Sequence, residues 1–239
     1  MQPPTALEVA PGLWVRGKTP LPRLAEFGLA AFDMDSTLIN IECIDEIAAA
    51  AGRKAEVAAI TELAMRGVIT DFSESLRRRL ALLKGVPEAA LHRIYTERLQ
   101  INPGVERFLA ACRAAGLKTL LVSGGFTFFS DRVCDRLGID AARANVLEIS
   151  GGRLTGGLVE QAWGEIVDGE RKRLTLLETC ASLGLDTSRA IAVGDGANDL
   201  PMMRAAGLSI AYHAKPAVRA EATVAITEGG MDRALELLA

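Results

Sequence analysis

The residues best suited to chemistry fall where apolar runs end. In "AFDMDSTLIN" (residues 31–40) an apolar stretch stops at two aspartates one residue apart, Asp33 and Asp35, followed by Ser36 and Thr37. Two like charges beside a buried segment are costly unless a cation sits between them or the segment is a solvated loop. "KTLLVSGG" ends in Ser123, Gly124 and Gly125, and "AIAVGDGANDL" in Asp195, Gly196, Asn198 and Asp199. Hard carboxylate oxygens from Asp33, Asp35 and Asp195 suit Mg²⁺, which takes one or two carboxylates plus waters and phosphate oxygens. Glycine-flanked amides and the Ser123 hydroxyl suit phosphate oxygens. Singly, each motif is ordinary: DxD and GDG are common turns, and SGG is a common strand-to-helix connection. Their joint occurrence, each closing an apolar run, points to one shared site. "VSGGF" lacks the GxSxG elbow, so Ser123 does not read as a nucleophile. His92 lies in a helical pattern and His213 in the loop "AYHAKP", so neither reads as a base.

The elements that must position these groups are apolar runs without polar alternation, the pattern of strands buried on both faces of a parallel sheet. They are residues 29–34, 118–122, 190–193, 208–212 and 223–226. Helical patterns lie between them. Pro103 opens "PGVERFLAACRAAG", where Val105, Phe108, Leu109 and Cys112 recur at helical spacing and Gly116 suits the residue past the helix end. "KRLTLLETCASLG" and "NDLPMMRAAG" repeat the arrangement. Strand–helix alternation predicts an α/β fold, a doubly wound parallel sheet whose ligands bind at the carboxyl ends of the strands. Residues 40–100 hold several helical patterns and no convincing strand, which predicts a helical cap inserted after the first motif strand. Residues 145–161 read as a hairpin turning at Gly151-Gly152, and "GLWVRG" as an extra edge strand. The expected division is a short N-terminal extension (1–28), a core (29–39 and 101–239) and the cap (40–100).

With 239 residues, 49% of them hydrophobic, the chain can bury a substantial core. A net charge of −3, with a longest basic run of only Arg77–Arg79, gives no reason to expect nucleic acid. No run approaches the roughly 18 apolar residues of a membrane span, and the N-terminus lacks the pattern of an export signal. The four cysteines are far apart, with no CxxC, which argues against zinc or a disulfide framework and fits a reduced, cytoplasmic setting.

"DMDST", "SGG", a lysine and "GDGAND", in that order, resemble the four motifs of the haloacid dehalogenase superfamily of aspartate-nucleophile phosphatases. The resemblance spans about residues 29–235, and the extended matches "FDMDSTLIN-IECIDEIA" and "VGDGANDLPM" are similar to its branch that hydrolyses the phosphate ester of serine. Many bacterial relatives carry a further N-terminal domain, which the roughly 28 preceding residues are too few to form. The resemblance implies that Asp33 is the nucleophile and Asp35 the general acid and base. It implies that Mg²⁺ is held by the Asp33 carboxylate, the Asp35 carbonyl and Asp195, with Asp199 supporting from outside. Lys172, in "GERKRL", would stabilise the phosphoryl oxygens, and Ser123, Gly124 and Asn198 would complete the phosphate cradle. Glu42 would meet the substrate ammonium and Arg79 its carboxylate. On residue type alone Arg77 or Arg78 would serve as well; the resemblance selects Arg79. Met65 and Phe72 are candidates for apolar cap surface. Two other functions fit the motifs: a phosphatase or phosphotransferase for another small phosphomonoester, such as phosphothreonine or homoserine phosphate, and a non-catalytic phosphate-binding module.

Overall fold

The computed structural model describes residues 6–17, 19–66, 68–164 and 166–239. Its strands are β1 (Ala6–Ala10), β2 (Leu13–Arg16), β3 (Leu29–Phe32), β4 (Lys118–Phe126), β5 (Ala141–Ser150), β6 (Arg153–Val159), β7 (Ala190–Gly194), β8 (Leu208–Tyr212) and β9 (Val224–Ile226). They form one sheet in the order β1-β2-β9-β8-β7-β3-β4-β5-β6. The six strands from β9 to β5 run parallel, and β1, β2 and β6 are added antiparallel at the two ends. The apolar continuity of the central strands has a direct cause. Ala30 and Phe32 of β3 and Ile191 and Val193 of β7 enter one core, while Leu29, Ala31, Ala190 and Ala192 enter the other. Both faces are covered, so successive residues must all be apolar.

Helices α5 (Val105–Ala114) and α6 (Thr127–Leu137) cover the first face; α7 (Gly169–Ser182), α8 (Leu200–Ala205) and α9 (Pro216–Glu221) cover the second. From β3 the chain passes to β4 and β5 on one side and later returns to β7, β8 and β9 on the other. The junction of β3 with β7 is therefore where connections diverge, which leaves a crevice beyond the carboxyl ends of the strands. Four helices stand between β3 and α5: α1 (Cys43–Ala50), α2 (Lys54–Met65), α3 (Phe72–Ala81) and α4 (Glu88–Glu97). The chain segments entering and leaving this insertion are laced together. Asn40 N–H donates to Gln100 O at 3.0 Å, and the Asn102 amide reaches the carbonyls of Thr37 and Ile39 at 2.9 and 3.0 Å. The α3–α4 connection is also pinned to β6, with Gly85 N–H donating to Leu154 O and Leu154 N–H to Val86 O.

Several expectations need correction. The first strand stops at Phe32 rather than Met34, because the N–H groups of Thr37, Leu38 and Ile39 all turn back onto Met34 O. The second runs on to Phe126, carrying "SGG" inside β4. Pro103 precedes its helix: Gly104 has φ +77°, so α5 begins at Val105. "GLWVRG" does form a strand, but β1 lies outside it and takes the edge, so residues 6–16 extend the central sheet as a hairpin. Residues 1–5 of the expected extension, and the Met65 side chain, fall outside what is described.

Candidate active site

The three polar strand ends meet. β3 delivers Asp33 and Asp35, β4 delivers Ser123 and Gly124, and the turn after β7 delivers Asp195 and Asn198. All line one cavity of about 760 Å³ that is lined also by Glu42 and Arg79 from the helical insertion. The β3 terminus is held in register by Asp33 N–H donating to Val193 O at 3.0 Å. Beyond it Ser36 sits at φ +57°, an unfavourable conformation for a non-glycine residue. The turn is tied down from three sides. Ser36 Oγ donates to Glu42 Oε1 at 2.7 Å, Thr37 Oγ1 donates to Asp195 Oδ1 at 3.0 Å, and the Asn102 amide holds the carbonyls.

Asp33 and Asp35 are alike in sequence and unlike in setting. Lys172, fully buried, donates from Nζ to Asp33 Oδ1 and to Asp199 Oδ1, each at 2.6 Å. Burial alone would lower the pKa of that ammonium, but the Asp199 and Asp33 carboxylates beside it win and raise it, so Lys172 stays charged. Lys172 does not line the cavity; it reaches Asp33 from within the protein. Asp35 has no cation at hydrogen-bond distance among the described residues. Its Oδ2 accepts from Cys43 N–H at 3.0 Å, while its buried Oδ1 has no partner. Burial, then the charge of Glu42, pushes its pKa up to about 7. Burial and the Asp199 carboxylate likewise raise Asp195, to about 6, and raise Asp33 well above the usual range.

Such a group of carboxylates calls for a cation. Oxygens of Asp33, Asp195 and Asp199 all lie within 4.8 Å of one another, a donor set that fits a hard divalent ion. Asp199 is the least available of the three. Lys172 takes its Oδ1, and the N–H groups of Asp195 and Gly196 donate to its Oδ2 at 3.1 and 2.9 Å. Asp33 and Asp195 each keep one oxygen without a partner among the described residues.

The β4 end is built to receive oxygens. Ser123 Oγ accepts from Gly125 N–H at 2.9 Å, which leaves its own O–H to donate. Gly124 is closely hemmed in: a Cβ there would stand 3.3 Å from both the Phe72 ring and Val167 O, closer than side chains usually pack, so a neighbour would have to give way. On α3, Arg78 pairs with Glu74 at the surface, whereas Arg79 lines the cavity with its Nε donating to Ser75 O at 3.3 Å. Burial lowers the Arg79 pKa, while Asp45 and Glu42 oppose this. His92 packs edge-on against Phe128, and His213 bonds to Gly229 O, so neither histidine joins the site.

A family model of haloacid dehalogenase-like hydrolases matches residues 30–204. The chain belongs to this family. It is 65% identical to a phosphoserine phosphatase of Polaromonas sp., over 100% of both chains. Two solved structures superpose on it with a TM-score of 0.81 and 36% identity, each covering 89% of this chain and 99% of the other. One is a substrate-bound complex of phosphoserine phosphatase, the other an analogue of its phospho-aspartyl intermediate. Among the described residues of this haloacid dehalogenase-like hydrolase, no helix is long and apolar enough to cross a membrane.

Sequence reasoning missed four supporting residues. Thr37 was visible in "DMDST" without a role, yet it holds Asp195. Asn102 closes the turn after Asp35. Fully buried Asn145 donates to Gly124 O and accepts from Val167 N–H, both at 2.7 Å, joining β4 to the approach of α7. Lys215 lines the cavity beside Asp195. Only "AYHAKP", which closes a strand as the other motifs do, carried a signal for the last.

Proposed function

We propose that this chain is a Mg²⁺-dependent phosphoserine phosphatase that converts O-phospho-L-serine to L-serine and phosphate, the last step of serine biosynthesis. The observation that carries the reading is the single cavity joining Asp33, Asp35 and Ser123 to Glu42 and Arg79. One end suits a phosphate and the other an amino acid's ammonium and carboxylate. The names of the relatives support the same substrate.

Asp33 attacks phosphorus in line with the serine oxygen and becomes an aspartyl-phosphate. Lys172 orients the attacking carboxylate through Oδ1 and stabilises negative charge from within the protein. Asp35 protonates the leaving serine oxygen, then takes a proton from the water that opens the acyl phosphate. Its unpartnered Oδ1 is the atom for that exchange. Ser123 O–H, the Gly124 amide and Asn198 cradle the phosphate oxygens. Asp33, the Asp35 carbonyl and Asp195 would hold Mg²⁺, with Asp199 outside because its oxygens are committed. When bound, the ion offsets the repulsion between the anionic nucleophile and the anionic phosphate. Residues 40–100 serve as the cap that admits the substrate, 29–39 and 101–239 as the catalytic core, and 1–28 as an N-terminal extension. The four unpaired cysteines suit a reducing cytoplasm.

The test is phosphate release from L-phosphoserine with Mg²⁺ and with EDTA, alongside phosphothreonine, homoserine phosphate and the Asp33→Asn variant. Metal-dependent turnover of phosphoserine, abolished in the variant at every substrate concentration, is expected. Turnover by Asp33→Asn would falsify the nucleophile assignment. Preference for another ester would move the substrate, and release from none of them would leave a binding module.

A further inference from the structure

The charged residues that line the cavity are predominantly acidic. Asp33, Asp35, Glu42, Asp45 and Asp195 line it, a strongly anionic wall for an incoming phosphate dianion. Lys172 is fully buried and already committed to two carboxylates. Arg79 lies on the helical insertion, facing Asp45 and Glu42. The other cation on the wall is Lys215, which is exposed and makes no ion pair among the described residues.

Its position is built. After β8 the chain turns at His213, whose φ of +45° is unfavourable for a residue with a side chain. That turn is fastened twice: His213 N–H donates to Ile226 O and its ring Nε2–H to Gly229 O, both at 2.8 Å. The fastened turn brings Lys215 back over the end of β7, where its N–H donates to Asp195 O at 3.1 Å. Its carbonyl then receives the N–H groups of Val218 and Arg219, which starts α9. The backbone of Lys215 thus supports the Asp195 turn, and the residue, exposed, lines the same cavity as Asp195, Gly196 and Asn198.

We propose that Lys215 is a phosphate-recruiting residue of this site: its ammonium draws the phosphate end of the substrate past the carboxylates and helps retain inorganic phosphate before release. The inference rests on the phosphoserine phosphatase reading. A rim cation acts through capture and is weakened by salt. Lys215→Met should lower kcat/KM for L-phosphoserine about three- to tenfold at low ionic strength, mainly through KM. It should raise the inhibition constant for inorganic phosphate by a similar factor, and the deficit should shrink near 0.3 M salt, where the Debye length is about 6 Å against about 30 Å at 0.01 M. Lys215→Arg should recover most of the loss. Mg²⁺ affinity, measured by calorimetry without substrate, separates this role from a structural one. Removing a cation from the cavity wall should leave Mg²⁺ binding unchanged or tighter, whereas a loosened Asp195 turn would weaken it. Unchanged KM and phosphate inhibition in Lys215→Met, or a salt-independent loss with weaker Mg²⁺ binding, would overturn the proposal while the parent activity stood. A wild-type chain that releases no phosphate from phosphoserine would remove the functional reading and this inference together.

Discussion

Replacing Lys172 with methionine tests the electrostatic logic of the site more sharply than removing the nucleophile. The ammonium is fully buried and donates to Asp33 and Asp199 at 2.6 Å each, and those side chains are themselves 8% and 0% exposed. Methionine keeps the length and apolar stem but leaves two buried carboxylates with no cation when Mg²⁺ is absent. Breaking a buried ion pair from one side costs about 3–5 kcal/mol. A ceiling follows independently. The variant can escape by protonating one carboxylate, which at pH 7 costs at most about 4 kcal/mol relative to an unfolded chain whose carboxylates ionise near about 4. The two routes agree, so a loss of about 4 kcal/mol is expected, or a fall in urea midpoint of roughly 1.3–2 M for a slope near 2–3 kcal/mol/M. Saturating Mg²⁺ should recover part of it, because the ion neutralises the same carboxylates. Combination with Asp199→Asn isolates the charge. The amide can still accept from the Asp195 and Gly196 N–H groups, so a coupling of about 2–3 kcal/mol between the two substitutions is expected. A loss under about 1 kcal/mol without Mg²⁺, or additivity within about 0.5 kcal/mol, would refute the reasoning.

Three further outcomes are expected. Arg79→Ala should raise KM for L-phosphoserine about 10–100-fold, the worth of a charge-assisted fork, while p-nitrophenyl phosphate, which has no carboxylate, changes little; equal losses on both would displace Arg79 from the carboxylate. Thr37→Val removes the hydroxyl on Asp195 and should weaken Mg²⁺ binding about tenfold by calorimetry, with unaltered affinity counting against that bond as support for the ion. Asn145→Ala orphans the Gly124 carbonyl and the Val167 N–H and should cost about 2–4 kcal/mol in denaturant unfolding; a cost near zero would mean that water replaces the amide.

The central strands were legible because burial on both faces leaves an unbroken apolar run. Residues 208–212 were read as β8 with its observed bounds, and 190–193 missed only Gly194 of β7. The end of β3 was misjudged because Asp33 and Met34 look like its continuation, and only hydrogen bonds onto Met34 O show the turn. β1 and α6 were not expected at all. Leu7 and Val9 of β1 are exposed, so β1 lacks the buried pattern; α6 has Phe129, Val133 and Leu137 at helical spacing but follows "SGGF" without a break.

The site divides along a similar line. Asp33, Asp35, Ser123 and Asp195 announce themselves because each closes an apolar run, although Ser123 lies within β4 and not past its end. Asn102, Asn145 and Lys215 do not, since their partners lie 20 or more residues away in sequence. An asparagine that bonds backbone reads like any loop asparagine until the backbone it meets is known. This difference explains why motif residues alone make Asp33 and Asp35 equivalent. Nothing in "DMD" says that one carboxylate faces a buried ammonium and the other a main-chain N–H and an empty lone pair. Their division into attacking group and proton carrier follows from the partners: Lys172 fixes Asp33 through Oδ1 and opposes the burial that raises its pKa, whereas Asp35 has only the Cys43 N–H among the described residues, and burial and Glu42 push it up to about 7. The partners that the fold brings to them, Lys172 and the Cys43 N–H, are what make two identical side chains chemically different.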